Sequence, residues 1–595
     1  MQSPDAPTRP EPVALDRQKS WTPNPDAQTP SAQVQTDRVT RPTTATSSAL
    51  AGAALAACGG GDGNTTNNLT PLPAKPTEIE AARFLMQASF GGTYAQVQEV
   101  VGKGFEAWLD VELAKPWDEA QSHYNWIVNS GFLDAGKSSK IGTDNTLWRK
   151  VMSAPDVLRQ RVAYALSQIF VISIEGLGDI TWRNVAAAAY MDVLEKNAFG
   201  NFADLLKAVS LSPAMGAYLN MKGSVKATGT SAPDENYARE VMQLFTIGLY
   251  QLNADGSRKL QNGKPIETYQ QQDVSNLAAI FTGWNFASSS DASKLNYLRE
   301  NMSHNAILFT PNAKPYLGGV IASNVTGPNA LNMVMDYLAN HDNVGPFIGR
   351  QLIQRLVCSN PSAAYISRVS AAFTKSVNGK RGDLKSVIKA VLLDPEARTL
   401  PTTPSALAQY GKLREPVLRL VQWARTFNAK PTDLTVKPSA ANSWYGPWNI
   451  GDLSDDVTGI GQSPLRSPSV FNFYRPGYVP TQGEMSANSI TAPEFQLCNE
   501  VSVARYLNFI NDAIGVGRND VKADYTGDYA LAKDATALVN RYALLLAADG
   551  LSTSTKKTIA DAVATQVATN DAGCLIRIKA TIFLIMATTE YLIQK

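Results

Sequence analysis

The sequence has few of the residues from which disulfide scaffolds and metal centres are built. Its 595 residues include only four cysteines (Cys58, Cys358, Cys498 and Cys574) and three histidines. No C-x-x-C pair occurs, and no histidine lies near a cysteine at the spacing of a zinc site. The chain also has no H-x-x-x-H, H-E-x-x-H or Asp-rich calcium motif. We therefore expect no metal site, and disulfides that are optional to the fold.

An excess of one sign of charge and a long apolar run are also missing. The 54 Lys and Arg residues nearly balance the 52 Asp and Glu residues, which leaves a formal charge of +2. Proteins that bind nucleic acid usually concentrate basic residues in a stripe or patch, so nucleic acid is not an expected partner. A transmembrane helix needs roughly 20 apolar residues, and because no such run occurs, none is predicted.

Motifs of the common cofactor and nucleophile sites are absent as well. The chain has no Walker loop, no G-x-G-x-x-G sequence and no G-x-S-x-G elbow, so no cofactor is predicted and serine catalysis has little support. With 44% hydrophobic residues, however, the chain can bury a very large core. A globular protein is expected.

The first 77 residues differ in composition from the rest. Residues 1–46 are rich in Pro, Thr, Gln, Ser and Asp, a composition that cannot offset the entropy lost on folding, and are predicted to be disordered. Residues 47–58 form a short apolar segment that ends in Leu-Ala-Ala-Cys58, which resembles a lipobox, and residues 59–77 read as a flexible linker. This predicts lipidation of Cys58 and an exported protein, either a periplasmic or cell-surface lipoprotein anchored in the membrane or a secreted one.

The position of this segment leaves alternatives open. Signal segments usually begin within the first few residues, whereas this one begins near residue 47. Either translation starts later than Met1, or the region before the apolar run is unusually long, or the segment is an Ala/Gly-rich linker.

From residue 78 onward the hydrophobic period is that of helices. Ala81, Phe84, Leu85 and Ala88 fall at i, i+3, i+4 and i+7. A second helix opens near Pro155, with proline in its first turn. The same period predicts further helices at 94–114, 182–197, 235–247, 270–282, 328–340, 344–357, 361–374, 383–393, 404–426, 493–513, 530–548, 555–568 and 573–594. Residues 78–595 are therefore predicted to be one all-α, multi-helix domain with a continuous core.

Two long segments, residues 286–326 and 430–490, lack this period and are rich in Gly, Pro and aromatic residues. Irregular loops of this length are often functional. Residues Trp284, Trp444, Trp448, Tyr474 and Arg475 are candidates for stacking on a ligand or partner. The alternative is that the aromatic rings only pin the loops to the core.

Several local motifs resemble the bacterial family catalogued as domain of unknown function 1800. They are AARFL (81–85), GFEAWL (104–109), ENYAREVMQLFTIG (235–248), FTGW (281–284), His304, Lys314, Gly318-Gly319, FIGRQL (347–352), LREP (413–416) and SPSVFNFYRPG (467–477). The resemblance implies an exported, mostly helical protein, often encoded beside a secreted partner similar to sulfatases and alkaline phosphatases. It implies no activity. Many relatives carry a second carboxylate where this chain has Gln243, which weakens a paired-carboxylate mechanism.

The helix predicted at 235–247 carries the densest group of polar residues. Glu240 and Gln243 share one helical face, and a carboxylate among apolar neighbours has a raised pKa and can act as acid or base. Alternatively, Glu240 is the buried ion-pair partner of Arg239, Arg350 or Arg414.

His304, with Lys314 downstream, is the second candidate for acid/base chemistry, because a histidine on a loop can carry protons. A metal site of His304, His341 and Glu240 is a weaker alternative. For His341, a position beside the helix that starts near Val344 favours a helix-capping region, with Asp342 or Asn343 as the cap.

Two functions therefore compete. In the first, the chain is a helical binding or assembly scaffold for another exported protein or a surface glycan. In the second, it is an extracytoplasmic hydrolase that uses acid/base chemistry in a cleft lined by Glu240, Arg239, His304 and Lys314.

Overall fold

The helical period of the sequence is confirmed by the fold. The chain is described by a computed structural model over residues 75–135, 137, 139–287, 295–376, 379–438 and 446–595. The predicted N-terminal extension, the signal-like segment with Cys58, and Trp444 lie outside the described residues. So does nearly all of the linker predicted at 59–77.

Helices make up most of the described chain. In the N-terminal half they are α1 (Glu78–Ala88), α2 (Tyr94–Lys103), α3 (Phe105–Ala114), α4 (His123–Asn129), α5 (Phe132–Ala135), α6 (Thr143–Ser153), α7 (Val157–Ser167), α8 (Arg183–Asn197), α9 (Phe202–Leu211), α10 (Pro213–Tyr218), α11 (Asn236–Gln243) and α12 (Gln271–Ile280). In the C-terminal half they are α13 (Gly327–Asn340), α14 (Val344–Leu356), α15 (Ala363–Thr374), α16 (Leu384–Leu392), α17 (Pro395–Arg398), α18 (Pro404–Gln409), α19 (Pro416–Thr426), α20 (Gly483–Ala487), α21 (Glu500–Val516), α22 (Tyr529–Ala532), α23 (Ala535–Ala547), α24 (Thr553–Ala564), α25 (Asp571–Met586) and α26 (Thr589–Leu592).

Strands are short and pair only in antiparallel twos. They are β1 (Leu260–Gln261), β2 (Lys264–Pro265), β3 (Trp284–Asn285), β4 (Ser303–His304), β5 (Lys314–Tyr316), β6 (Gly319–Ile321), β7 (Lys412–Leu413), β8 (Lys430–Pro431), β9 (Val521–Lys522) and β10 (Ile593–Gln594). The pairs are β1–β2, β3–β4, β5–β6, β7–β10 and β8–β9. The class is therefore all-α, as predicted.

Some predicted helices are divided where the backbone needs glycine. The helix predicted at 94–114 breaks at Gly104, whose φ of +81° lies in the left-handed region. The helix predicted at 404–426 breaks near Gly411, where β7 pairs with the C-terminal β10. A side chain at Gly411 would come within 2.6 Å of the Gln594 carbonyl oxygen. Period alone does not show such breaks, because apolar residues continue on both sides.

Two apolar clusters form the interior of one compact unit. The first takes its residues mainly from α1 to α16, and the second from α19, α21, α23, α24 and α25. Helices α6 and α7 contribute to both, since Leu147 and Leu158 belong to the first cluster whereas Trp148 and Tyr164 belong to the second.

A buried charged network ties the two clusters together. Glu415, at the N-cap of α19, is fully buried and accepts hydrogen bonds from Gln168, from Gln462 at 2.6 Å and from Tyr164 at 3.3 Å. Lys412 Nζ lies 3.5 Å from Glu415 Oε1 and 3.3 Å from Glu494 Oε1. Burial alone would raise the pKa of Glu415, but the charges of Lys412 and Arg161 together with the hydrogen bonds from Gln462 and Gln168 hold that pKa below its usual value.

Neither membrane spans nor disulfides appear in the described part of the chain. No described helix combines the length and apolar composition needed to cross a bilayer. Cys358 and Cys574 are buried free thiols, and Cys498 is an exposed one.

Replacing Lys412 by methionine tests the network. Lys412→Met removes the cation that lies within 3.5 Å of two buried carboxylates, so we expect a loss of about 3–5 kcal/mol in the free energy of unfolding, measured by urea denaturation. Lys557→Met is the control, because the Lys557 side chain is 74% exposed in its pair with Asp561. It should cost less than about 1 kcal/mol. Equal losses in the two variants would contradict the structural role of Lys412.

Candidate functional site

A cleft of about 350 Å3 opens where four segments distant in sequence meet. Its lining comes from residues 168–169 after α7, residues 243–258 after α11, the face of α14 between residues 346 and 355, and residues 470–477 of the second irregular loop. This volume is within the range of small-molecule sites. We call it the α11–α14 cleft.

Glycine and a buried amide shape the wall of the cleft. Gly248 has a φ of +68°, and a side chain there would come within 2.9 Å of the Phe347 ring. Asn343 donates to the carbonyls of Ile247 and Tyr250, both at 2.8 Å, and accepts from the Leu252 amide at 2.9 Å. Because all three bonds go to one segment, the wall at 247–252 is held firmly against α14.

These bonds refine the prediction made for the region before α14. Asn343 is the N-cap residue of α14, but its side chain makes no capping hydrogen bond. His341 lies at the C-cap of α13, and its Nδ1 accepts from the Asn343 amide at 3.1 Å. The position of His341 in a capping region is thus confirmed, whereas the capping role predicted for Asn343 is replaced by its bonds to the cleft wall.

The floor of the cleft is polar and anchored to the buried network. Gln168 binds Glu415, and the Lys412 ammonium donates to the carbonyls of Gln354 and Arg355 at 3.1 and 3.0 Å. Gln354 and Arg355 are both 2% exposed, and Gln354 Oε1 and Arg355 Nε have no hydrogen-bond partner among the described residues. The floor therefore contains a buried acceptor, Gln354 Oε1, and a buried donor, Arg355 Nε, that no described group pairs.

Arginines supply the charge of the cleft. Arg258, Arg350, Arg355 and Arg475 line it, and the lining contains no Asp or Glu. Arg258 stacks over the Tyr250 ring at 4.6 Å and Arg475 over the Phe471 ring at 4.9 Å. The half-buried Arg350 makes no hydrogen bond or ion pair with the described residues. The cleft is thus cationic and partly apolar.

Glu240 lies one turn before the cleft residue Gln243 on α11. Its Oε2 is buried and has no hydrogen-bond partner among the described residues. Burial raises the pKa of Glu240 to about 7, against the opposing charge of Arg239. Nearby, the Tyr269 hydroxyl donates to Gln243 Oε1 at 3.1 Å. A carboxyl group that titrates near neutral pH is suited to general acid or base chemistry.

The predicted ion-pair partners of Glu240 lie elsewhere. Arg239 pairs with Glu235 at 3.2 Å and donates to Gln271 at 3.0 Å. Arg414 donates to Gln422 and to the Leu546 carbonyl, and Arg350 faces the cleft. The alternative in which Glu240 is a buried ion-pair partner is therefore not what the structure shows.

His304 and Lys314 both lie against the Phe309 ring and not against Glu240. The His304 ring makes edge contacts with Trp284 and Phe309, at 5.0 and 5.1 Å between centroids, and Lys314 Nζ lies 4.6 Å from the Phe309 centroid. Lys314 Nζ donates to the carbonyls of Thr310 and Asn312, at 2.9 and 2.5 Å. Burial lowers the pKa of both His304 and Lys314. No described hydrogen bond or ion pair joins this group to Glu240.

The aromatic candidates divide between core and cleft. Trp284, Trp448 and Tyr474 are 3–5% exposed and fill the interior, whereas Arg475 is exposed and lines the cleft. Buried rings are not available for stacking at the surface. At these three positions the structure matches the alternative in which the rings pin the loops.

Sequence reasoning missed a second polar centre around His123. His123 Nε2 lies 2.8 Å from Glu195, whose other oxygen lies 2.9 Å from Lys150. Asp192 accepts the amides of His123 and Tyr124 at 2.7 and 2.8 Å. His123, Asp192 and Glu195 are close enough to bind a metal ion, but Lys150 already supplies a cation and the carboxylates already have donors. We interpret the group as a buried network that fixes α4 on α8.

Comparisons with known proteins give a family and no activity. A family model described as "Protein of unknown function (DUF1800)" matches residues 83–593. No curated protein and no solved structure gives a significant match.

Glu240→Gln tests whether this carboxyl is buried without a partner. A raised pKa means that the folded state holds its proton more tightly than the unfolded state, so Glu240 should lower stability as pH rises through about 7. At pH 8 the variant should have a higher melting temperature than the wild type, with a free energy of unfolding larger by at most about 3 kcal/mol. Near pH 4 the two proteins should have the same melting temperature. Glu235→Gln should instead lower the melting temperature at pH 8, because Glu235 is paired with Arg239 and Ser275. A large loss of stability in Glu240→Gln would show that Glu240 has an ion-pair partner.

Gly248→Ala tests how the cleft wall is packed. Gly263→Ala is a matched control, since Gly263 has a φ of +76° but no atom within 4 Å of an added side chain. Both variants strain the backbone, but only Gly248→Ala also crowds the Phe347 ring. This crowding should lower the free energy of unfolding by a further amount of about 1–3 kcal/mol. Equal losses in urea denaturation would contradict the close packing of Gly248 on Phe347.

Proposed function

The chain belongs to the family described as protein of unknown function (DUF1800), which assigns no activity, and we propose that it is a binding protein whose α11–α14 cleft takes a small ligand or ligand group. The observation that carries this proposal is the cleft itself, an open cavity with unpaired polar groups on a rigid helical frame. Pre-formed sites of this kind bind with little cost in ordering.

The position of the family motifs supports the same site. Segments 235–248, 347–352 and 467–477, which carry much of the resemblance to the family, each contribute residues to the lining. They are separated by about a hundred residues or more in sequence, and the fold brings them to one cavity.

The proposal keeps the setting predicted from the sequence. We place the protein outside the cytoplasmic membrane, with acylated Cys58 as its anchor, as part of an assembly of exported proteins. A neighbouring exported protein similar to sulfatases or phosphatases is the proposed partner. In this reading the helical domain is a scaffold that presents the cleft.

Hydrolysis by acid/base chemistry is the second candidate function. The observation that favours it is Glu240 Oε2, which is buried, has no described partner and belongs to a carboxyl with a pKa of about 7. Gln243 and Tyr269 are its neighbours towards the cleft, so they replace His304 and Lys314 as the groups that would assist it. Arg239 contributes only its nearby charge.

Filling the cleft tests the binding proposal. Gly477 lies in the lining, and a Cβ added there meets no atom within 4 Å, so Gly477→Trp introduces its ring from an uncrowded position of the lining. The neutral fluorescent probe N-phenyl-1-naphthylamine should bind the full chain, and Gly477→Trp should weaken that binding by about tenfold or more, because the ring occupies the cavity.

Gly527→Trp is the control for this test. Gly527 is also exposed with open space around it, but it lies outside the lining. Probe binding that Gly477→Trp does not weaken, or a wild-type chain that does not bind the probe, would contradict the proposal.

A further inference from the structure

We propose that the natural ligand of the α11–α14 cleft carries an oxyanion, a phosphate, sulfate or carboxylate group, on an apolar body, and that Arg350 is its central contact with Arg258 and Arg475 at the rim. This inference rests on the proposed binding function and names the chemical class of ligand.

Arg350 is a half-buried cation of the cleft whose side chain has no partner among the described residues. It lies half-buried on α14, and no described carboxylate, carbonyl or amide accepts from it. Burial lowers the pKa of Arg350, and the positive charge of Arg258 lowers it further. Taking a cation partly out of water beside another cation is unfavourable. A bound anion removes both penalties.

Three other arginines of the chain, Arg466 and Arg577, which are buried, and Arg368, which is half-buried, show how such a group is satisfied by acceptors. Arg466 is paired with Asp144 and Glu175 at 2.6 Å each, and Arg577 donates to the carbonyls of Val563 and Ala532. Arg368 makes a two-pronged pair with Asp394. Arg350 has neither kind of acceptor, so the cleft differs from the structural arginine sites of the same molecule.

The rim arginines are oriented without being neutralised. Arg258 and Arg475 stack on Tyr250 and Phe471, and neither makes an ion pair with the described residues. Stacking fixes the plane of a guanidinium group but leaves its N–H donors free. Two such groups at the rim and one within the cleft offer the forked donors that phosphate, sulfate and carboxylate accept.

The rest of the lining defines the other part of the ligand. Leu244, Phe347 and Val470 present apolar surface in the same cavity. An inorganic anion would leave the apolar surface exposed to water, and a neutral apolar molecule would leave the arginines without an anionic partner. An organic oxyanion with one aromatic or aliphatic body satisfies both, and a cavity of about 350 Å3 accommodates it.

A matched series of naphthalene probes tests the inference on the full chain. The anionic probes are 2-naphthyl phosphate, 2-naphthyl sulfate and 2-naphthoate, and the neutral one is 2-methoxynaphthalene. Binding is followed by fluorescence anisotropy at fixed ionic strength. At least one anionic probe should bind tenfold or more tightly than the neutral probe, and its rank against the other anions identifies the preferred oxyanion.

Variants assign the selectivity to Arg350. Arg350→Gln should lower the affinity for the preferred anion at least tenfold and leave the neutral probe unchanged, while its melting temperature stays at or above that of the wild type. Arg350→Lys should recover only part of the affinity, because it keeps the charge but not the fork. Arg541→Gln, a change of equal charge outside the cleft, should have no effect.

The outcomes separate this inference from the function on which it rests. If the neutral probe binds as tightly as the anions, or if Arg350→Gln weakens all probes alike, the anionic ligand is wrong while the binding cleft stands. If none of the four probes binds, the proposed binding function fails, and this inference fails with it.

Discussion

The side chains of Lys412, Glu415 and Glu494 are buried between the two apolar clusters, and the helices can pack together only if these charges are paired. Lys412 lies between Glu415 and Glu494, and its ammonium also takes the backbone carbonyls of Gln354 and Arg355. A single buried charge costs several kcal/mol, so the three are stable only together. Their pairing fixes α19 against the end of α14 and the C-terminal strand against β7. The cleft inherits this rigidity, because its floor consists of the same residues that the network holds.

The contrast between floor and wall explains the electrostatics of the cleft. Beneath the floor, the charge of Arg355 is balanced by Glu415 and Glu494, both of which favour its charged form. On the wall, Arg350 has no such counter-charge, and the positive charge of Arg258 disfavours its charged form. The positive potential of the cleft thus comes from arginines that the fold orients but does not neutralise. Glu240 lies outside the lining, one turn before the lining residue Gln243 on α11.

The sequence predicted the fold class well, because helical period and capping are local properties. The Thr77–Glu80 capping box and the apolar stripe of α1 follow from residues within one or two turns. The helix breaks at Gly104 and Gly411 were harder to predict from the sequence. The break at Gly104 depends on a left-handed backbone conformation, and the break at Gly411 depends on pairing with a strand nearly two hundred residues away. The network around His123 joins residues about seventy positions apart, so its spacing gives no local signal.

The candidate site was predicted only in part, for the same physical reason. The sequence singled out Glu240, whose Oε2 is buried without a described partner, and Arg475, which lines the cleft; the roles predicted for both stay predictions. The absence of a partner for Glu240 depends on where Arg350 and Arg414 lie in space, which period cannot give. The strand pair β3–β4 places His304 beside Trp284, and the His304 ring and the Lys314 ammonium both lie against Phe309 and not against Glu240. Arg350 was named only within a family motif and as an alternative ion-pair partner of Glu240, and Arg258 carried no sequence signal.

The most direct test of the anionic cleft is a crystal of the full chain soaked with 6-bromo-2-naphthyl sulfate, with the bromine located by its anomalous scattering. We expect the bromine peak inside the α11–α14 cleft, the ring between Phe347 and Phe471, and sulfate oxygens within hydrogen-bond distance of Arg350. A bromine peak outside the cleft, or a ring bound there with its sulfate turned away from Arg350, would contradict the role given to that arginine.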